Sequence, residues 1–120
     1  MRIVQLIDSL EAGGAERMAV NLANGLAKQV EFSGLVCTRK EGLLLAQIRA
    51  EVNYFFMAKK SALDLTALFR LRKYCLSYNV THVHAHATSF FTAFLLRLLL
   101  PKLKIIFICI INCKCSIIIA

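Results

Sequence analysis

The sequence predicts an α/β fold, a Rossmann-like parallel sheet of about five strands with helices on both faces. Two observations carry that reading. Short apolar runs of strand length alternate along the chain with segments of helical period, and the connections between them are brief. Strands alternating with helices in this way assemble side by side in parallel, with the helices covering both faces.

Each element follows in order. Arg2–Ile7 is a mostly apolar strand, and Asp8–Gly14 a connection holding two acids and a Gly-Gly pair. A helix is predicted over Ala15–Lys28, with Arg17, Asn21, Asn24 and Lys28 on its polar side. Met18, Leu22 and Leu26, with alanines between, form its apolar side. Phe32–Cys37 reads as the second strand, Thr38–Gly42 as a charged turn, and Leu43–Ala50 as a short helix. Val52–Met57 is the third strand. Asp64 is placed to cap the next helix, Leu65–Tyr78, whose polar stripe is Thr66, Arg70, Lys73 and Ser77. Val80–His86 is the fourth strand and Ser89–Leu100 the fourth helix, stopped by Pro101. Leu103–Ile108 begins the fifth strand.

In such a sheet, ligands gather beyond the carboxyl ends of the strands at the switch point. Here those ends are Asp8–Gly14 and His86–Ser89, expected side by side. A chain of 120 residues suits one domain, and it is 58% hydrophobic, above the ordinary globular range. The excess sits in Phe90–Leu100 and Leu103–Ala120. Neither run reaches the ~20 apolar residues of a span, so a peripheral membrane contact is allowed and a crossing is not.

The net charge of +8 is lopsided, because all 7 acids lie at or before Asp64. From Leu65 onward there are only Lys and Arg, a pattern that suits an anionic membrane or a phosphorylated acceptor, and equally a set of solvated helix faces. Nucleic acid is excluded as a partner, since no recognisable module interleaves these cations with aromatics. The 5 cysteines, with Cys109, Cys113 and Cys115 crowded together, match neither a secreted disulfide framework nor a zinc pattern. No apolar leader precedes the first strand, so a cytoplasmic location is expected.

Gly13-Gly14-Ala15-Glu16-Arg17 joins the first strand to the first helix. Glycines let a backbone turn tightly and let a ligand approach, and a helix amino-end favours an anion. The loop is neither GxGxxG nor a P-loop, and Gly-Gly could equally just make the turn. His82, His84 and His86 alternate, which puts them on one side of the fourth strand. Such histidines can ligate zinc, but no carboxylate follows Asp64 and a buried strand can hold His by hydrogen bonds, so no metal is assigned. His86, at the strand's carboxyl end, is the one placed to touch a ligand.

These residues resemble a known family. Arg2–Asp8, the Gly13–Arg17 loop, the helix ending near Gly25-Leu26-Ala27, the Val80–His86 strand and Pro101–Lys104 are similar to the start of glycosyltransferase family four. The similarity runs from residue 2 to about 107. It implies the N-terminal, acceptor-side half of a GT-B fold, truncated before the C-terminal Rossmann domain that binds the nucleotide-sugar donor. By that resemblance the enzyme is a retaining glycosyltransferase of hexosyltransferase type, working in glycan, cell-envelope polysaccharide or glycolipid synthesis at the inner face of a membrane. Gly13 and Gly14 would approach the donor phosphates or sugar. Glu16, Arg17, His86 and Thr88 would meet a glycan or lipid-linked acceptor. No metal or cofactor is implied, the nucleotide sugar being a substrate.

Two departures stand out. The family's His just beyond the fifth strand is missing after Phe107. The segment 108–120, with Ile at six of thirteen positions, reads as an aberrant, frame-shifted end to a domain covering 1–107. The chain alone is therefore expected to be inactive and, with Ile105–Ile111 uncovered, poorly soluble. The alternative is a non-catalytic Rossmann-like module for a phosphorylated ligand or partner protein. A dinucleotide-binding protein fits less well, since no acid ends the second strand.

Overall fold

The computed structural model describes residues 1–111 and 114–119, with side chains through residue 106. Strands β1 (Arg2–Ser9), β2 (Phe32–Lys40), β3 (Asn53–Phe56), β4 (His82–Ala85), β5 (Lys104–Ile111) and β6 (Lys114–Ile119) form one sheet in the order β3-β2-β1-β4-β5-β6. The four pairings in that order down to β5 are parallel, and β6 returns antiparallel on β5. The isoleucine-rich end thus lies along β5, and the outer edge of the sheet passes to β6. The chain winds outward from β1 to β3 and then crosses back to place β4 on the other side of β1. That reversal between β1 and β4 is the switch point expected from the sequence.

Helices cover both faces. Helix α1 (Gly14–Leu26) packs on one face, burying Ala19, Val20 and Ala23 with Ile7, Leu35, Cys37 and Leu44. Its buried side is turned from the Met18–Leu22–Leu26 line expected for it, and Met18 is exposed. The small residues go inward because they let the helix approach β1 and β2 closely. Helices α2 (Leu65–Ser77) and α3 (Phe90–Leu99) pack on the other face, where Leu68, Leu71, Tyr74, Ala93 and Leu96 meet Val4, Leu6, Val36 and Val83.

Asp64 caps α2 as predicted, with Oδ1 accepting from the Ala67 N–H at 3.1 Å. The far end of α2 closes on Asn79, whose φ of 52° is left-handed. The Val80 N–H reaches the Cys75 carbonyl and the Asn79 N–H that of Leu76, which satisfies the last carbonyls. The segment expected as a short helix from Leu43 forms only a 3₁₀ turn, Leu43–Gln47. Leu44 alone is buried there, which is too little to offset the cost of nucleating an α-helix.

Gly34 on β2 is fixed by packing. A Cβ there would lie 2.8 Å from the Tyr74 hydroxyl oxygen, 3.1 Å from Phe32 and 3.2 Å from Val4. Tyr74 lies across this spot to donate to Asn53 Oδ1 at 2.8 Å. Gly34→Ala is expected to destabilise the fold by about 1–3 kcal/mol through overpacking, read as a lower midpoint in urea.

Candidate functional site at the β1–β4 crevice

The site is built where β1, β2, β3 and β4 end. Asp8, near the end of β1, is buried and gathers the other strand ends around its carboxylate. Thr38 on β2 donates to Oδ1 at 2.5 Å, and Thr88, just past β4, donates to Oδ2. Arg39 approaches Oδ2 at 3.5 Å from a largely exposed position.

Lys59 follows β3. Its backbone N–H bonds to the Thr38 carbonyl at 2.8 Å, and its ammonium donates to Thr92 Oγ1 at 2.9 Å. Burial lowers the Lys59 pKa, with Asp8 pulling it up and Arg39 pushing it down. The carboxyl edge of the sheet therefore carries one carboxylate braced by hydroxyls, with two cations beside it.

Two residues here hold a backbone that L side chains rarely adopt. Ala58 has φ 53° and Ala87 has φ 51°, and each immediately precedes a site residue, Lys59 and Thr88. A left-handed non-glycine residue costs roughly 1–2 kcal/mol. At Ala87 the Ser89 hydroxyl holds the turn. It accepts from the His86 N–H at 2.9 Å and shares its own proton between the carbonyls of Leu6 and His86. Strain kept in place by neighbouring bonds is a common feature of binding sites.

The Gly-Gly loop enters the same edge from β1. Neither glycine has a positive φ, so the turn does not require them for conformational freedom. Gly13 is the N-cap of α1 in an extended conformation, and the Glu16 carboxylate folds back into the space that a Cβ on residue 13 would occupy. The amino-end of the helix thus has an acid of its own alongside. At Gly14 a Cβ would meet nothing within 4 Å, so the backbone faces open space. Arg17 is exposed one turn on.

The histidines share one face with Gln5, because His82 pairs with Ile3 and His84 with Gln5 across β1 and β4. That face is the one α1 covers further along. His84 and His86 lie ring to ring, 4.1 Å between centroids. His86 is only 4% exposed, and its Nε2 sits 2.7 Å from Gln5 Oε1. With the amide oxygen accepting, the neutral ring carries its proton on Nε2. Burial, and then the neighbouring His84, push the His86 pKa down to about 3, and burial lowers that of His84. Gln5 Nε2 and His84 Nε2 are buried without a hydrogen-bond partner among the described residues. His82, near the start of β4, takes up the Thr81 hydroxyl at 2.8 Å instead.

The structure therefore brings Gly13, Gly14, Glu16, Arg17, His86 and Thr88 to one edge. The main chain of His86 and the exposed Thr88 border the crevice, while the His86 ring is tied into the sheet. Asp8, Thr38, Arg39, Lys59 and Thr92 belong to the same edge and were not singled out from the sequence. The carboxyl-end rule that located His86 would have found Arg39 and Lys59 as well, since Arg39 is in the last residues of β2 and Lys59 just past β3.

Among the described residues, no three His, Cys, Asp or Glu side chains converge as a metal site requires. The crowded cysteines Cys109, Cys113 and Cys115 lie outside the residues whose side chains are described. A cavity of about 870 Å³ opens at the opposite, amino edge between Met1, Thr81, Leu100 and Lys104, away from this cluster.

The model of the family described as Glycosyltransferase Family 4 matches residues 12–111. That span takes in the Gly-Gly loop, the histidine strand and β5. No curated protein matches the chain. A match over most of the 120 residues, on a sheet with its switch point at β1 and β4, places this chain in glycosyltransferase family four.

Proposed function

We propose that this domain is the acceptor-side half of a retaining glycosyltransferase that moves a sugar from a nucleotide-sugar donor to a glycan or lipid-linked acceptor. The observation that carries the reading is Gly14, open to solvent at the amino-end of α1, on the same carboxyl edge of the sheet as the Thr88–Asp8 bond at the switch point. A donor phosphate or sugar can approach that backbone without meeting a side chain, in the field of the helix amino-end.

Gly13 frames the approach by leaving room for Glu16. Glu16, Arg17 and Thr88 line the acceptor side, and His86 holds Ala87 and Thr88 in place through its bonds to Gln5, Leu6 and Ser89. Lys59 and Arg39 supply positive charge for an anionic group on either substrate. The donor is gripped by a second Rossmann-like domain, which stabilises the departing nucleoside diphosphate. No cofactor enters this scheme. We place the work in cell-envelope glycan or glycolipid synthesis, at the cytoplasmic face of a membrane. We also keep residue 107 as the domain boundary, with 108–120 frame-shifted; an intact reading frame at the locus through Ala120 would refute that part.

Gly14→Ala tests the assignment. Alanine is a better helix former than glycine, so the melting temperature should hold or rise slightly. With the donor domain supplied, transfer from UDP- or GDP-sugars should fall at least tenfold, while the chain alone transfers nothing. Undiminished transfer by the variant would remove Gly14 from the site. Binding of a phosphorylated ligand with no transfer under any donor would favour the non-catalytic module.

A further inference from the structure

Helix α3 has an outer face that ordinary solvation does not explain. It buries Thr92, Ala93 and Leu96 toward the sheet. Its opposite side should then be polar. Phe94 is instead 57% exposed and Leu98 64%, with Phe91 at 38% beside them. Helix α2, on the same face of the sheet, adds Leu65, Phe69 and Leu76, each at least half exposed along one stripe. Apolar surface of this extent marks an interaction site.

Charge selects the occupant. The two helices and the turn after them carry Arg70, Arg72, Lys73, Arg97 and Lys102, and no acid follows Asp64. A second copy seated here by a two-fold axis would set these cations against their own counterparts. An anionic bilayer has no such conflict. Its headgroups take the cations while phenylalanine and leucine enter the boundary with the acyl chains. Among the described residues no helix is long and apolar enough to cross a membrane, so the face would lie on it.

We infer that the outer α2–α3 face docks on a membrane surface rich in anionic phospholipid, with Phe94 and Leu98 inserted and Arg97 and Lys102 at headgroup level. This names the surface and the lipid class for the membrane contact proposed above. It rests on that part of the reading alone, so vesicle binding and sugar transfer can fail separately.

The test is co-sedimentation of the purified chain with vesicles of phosphatidylglycerol and phosphatidylcholine, and with phosphatidylcholine alone. Binding is expected only to the first and should weaken in high salt. Arg97→Glu with Lys102→Glu should lower it about tenfold or more, and Phe94→Gln with Leu98→Gln comparably, with melting temperatures unchanged. Lys28→Glu, a single charge reversal on the opposite side of the sheet, should have no more than a small effect, well below that of Arg97→Glu alone. Equal binding to both vesicles, no binding to either, or a fall as large with Lys28→Glu would overturn the assignment. So would a concentration-dependent dimer that Phe94→Gln with Leu98→Gln abolishes while vesicle binding persists.

Discussion

Asp8→Ala is expected to be the most damaging single change at the crevice, costing about 3 kcal/mol of stability and abolishing transfer. The carboxylate is the common acceptor for Thr38 from β2 and Thr88 from beyond β4, with Arg39 alongside. Removing it leaves the buried Thr38 hydroxyl without that acceptor and releases the Ala87–Thr88 turn, whose left-handed backbone depends on its neighbours. The melting temperature should fall by roughly 10 °C. Asp8→Asn keeps one acceptor oxygen and should lose less. The pair, compared by thermal melting and by transfer assay with the donor domain supplied, checks both effects. Equal melting of Asp8→Ala and the parent chain would show that the carboxylate does not tie the strand ends together.

Acid should unfold this domain earlier than an ordinary α/β domain. His84 and His86 are buried, and both hold their protons less tightly in the fold than in the unfolded chain, where a histidine titrates near 6.5. A depressed histidine pKa means that the unfolded state binds the extra proton first. Stability from the neutral ring is complete above about pH 6.5 and is lost as the pH falls. For His86 the loss runs down to about pH 3, at about 1.4 kcal/mol per pH unit. Between pH 6.5 and 5 the ring should therefore remove about 2 kcal/mol, and His84 adds to this. Urea midpoints measured across that range should drop steeply. His86→Gln should flatten the curve, while the native chain showing no pH dependence there would contradict the buried, neutral assignment.

Much of this was legible before any coordinates. The alternation of strand and helix patterns gave the sheet, and the reversal between β1 and β4 follows from that architecture. It puts the Gly13–Arg17 loop and the His86–Thr88 turn at one edge. Asp64 could be read as a cap because its chemistry is local. What escaped the sequence was tertiary. The alanine face of α1 turned inward because helix–sheet distance, and not hydrophobicity alone, decides which side packs. The exposed leucines and phenylalanines of α2 and α3 look like core residues in one dimension. Lys59 and Arg39 stand at carboxyl-end positions that the rule points to, but the approach of one to Thr92 and of the other to Asp8 shows only once the strands lie side by side.

The His86 ring shows the same limit. Alternation puts it on one side of β4 but cannot say that Gln5, eighty-one positions away in sequence, would hold it at 2.7 Å. The role of Gly13 was equally hidden. Its lack of a side chain accommodates Glu16 and is not needed for backbone freedom.

The most direct measurement is backbone-amide NMR of the isotope-labelled chain titrated with UDP- and GDP-sugars to millimolar concentration. If the crevice is one wall of a sugar-transfer site, shifts should centre on Gly13, Gly14, Ala87 and Thr88 and be weakened by Gly14→Ala. Shifts confined to Thr81, Leu103 and Lys104 around the cavity at the opposite edge, with the Gly14 and Thr88 amides unmoved, would contradict it.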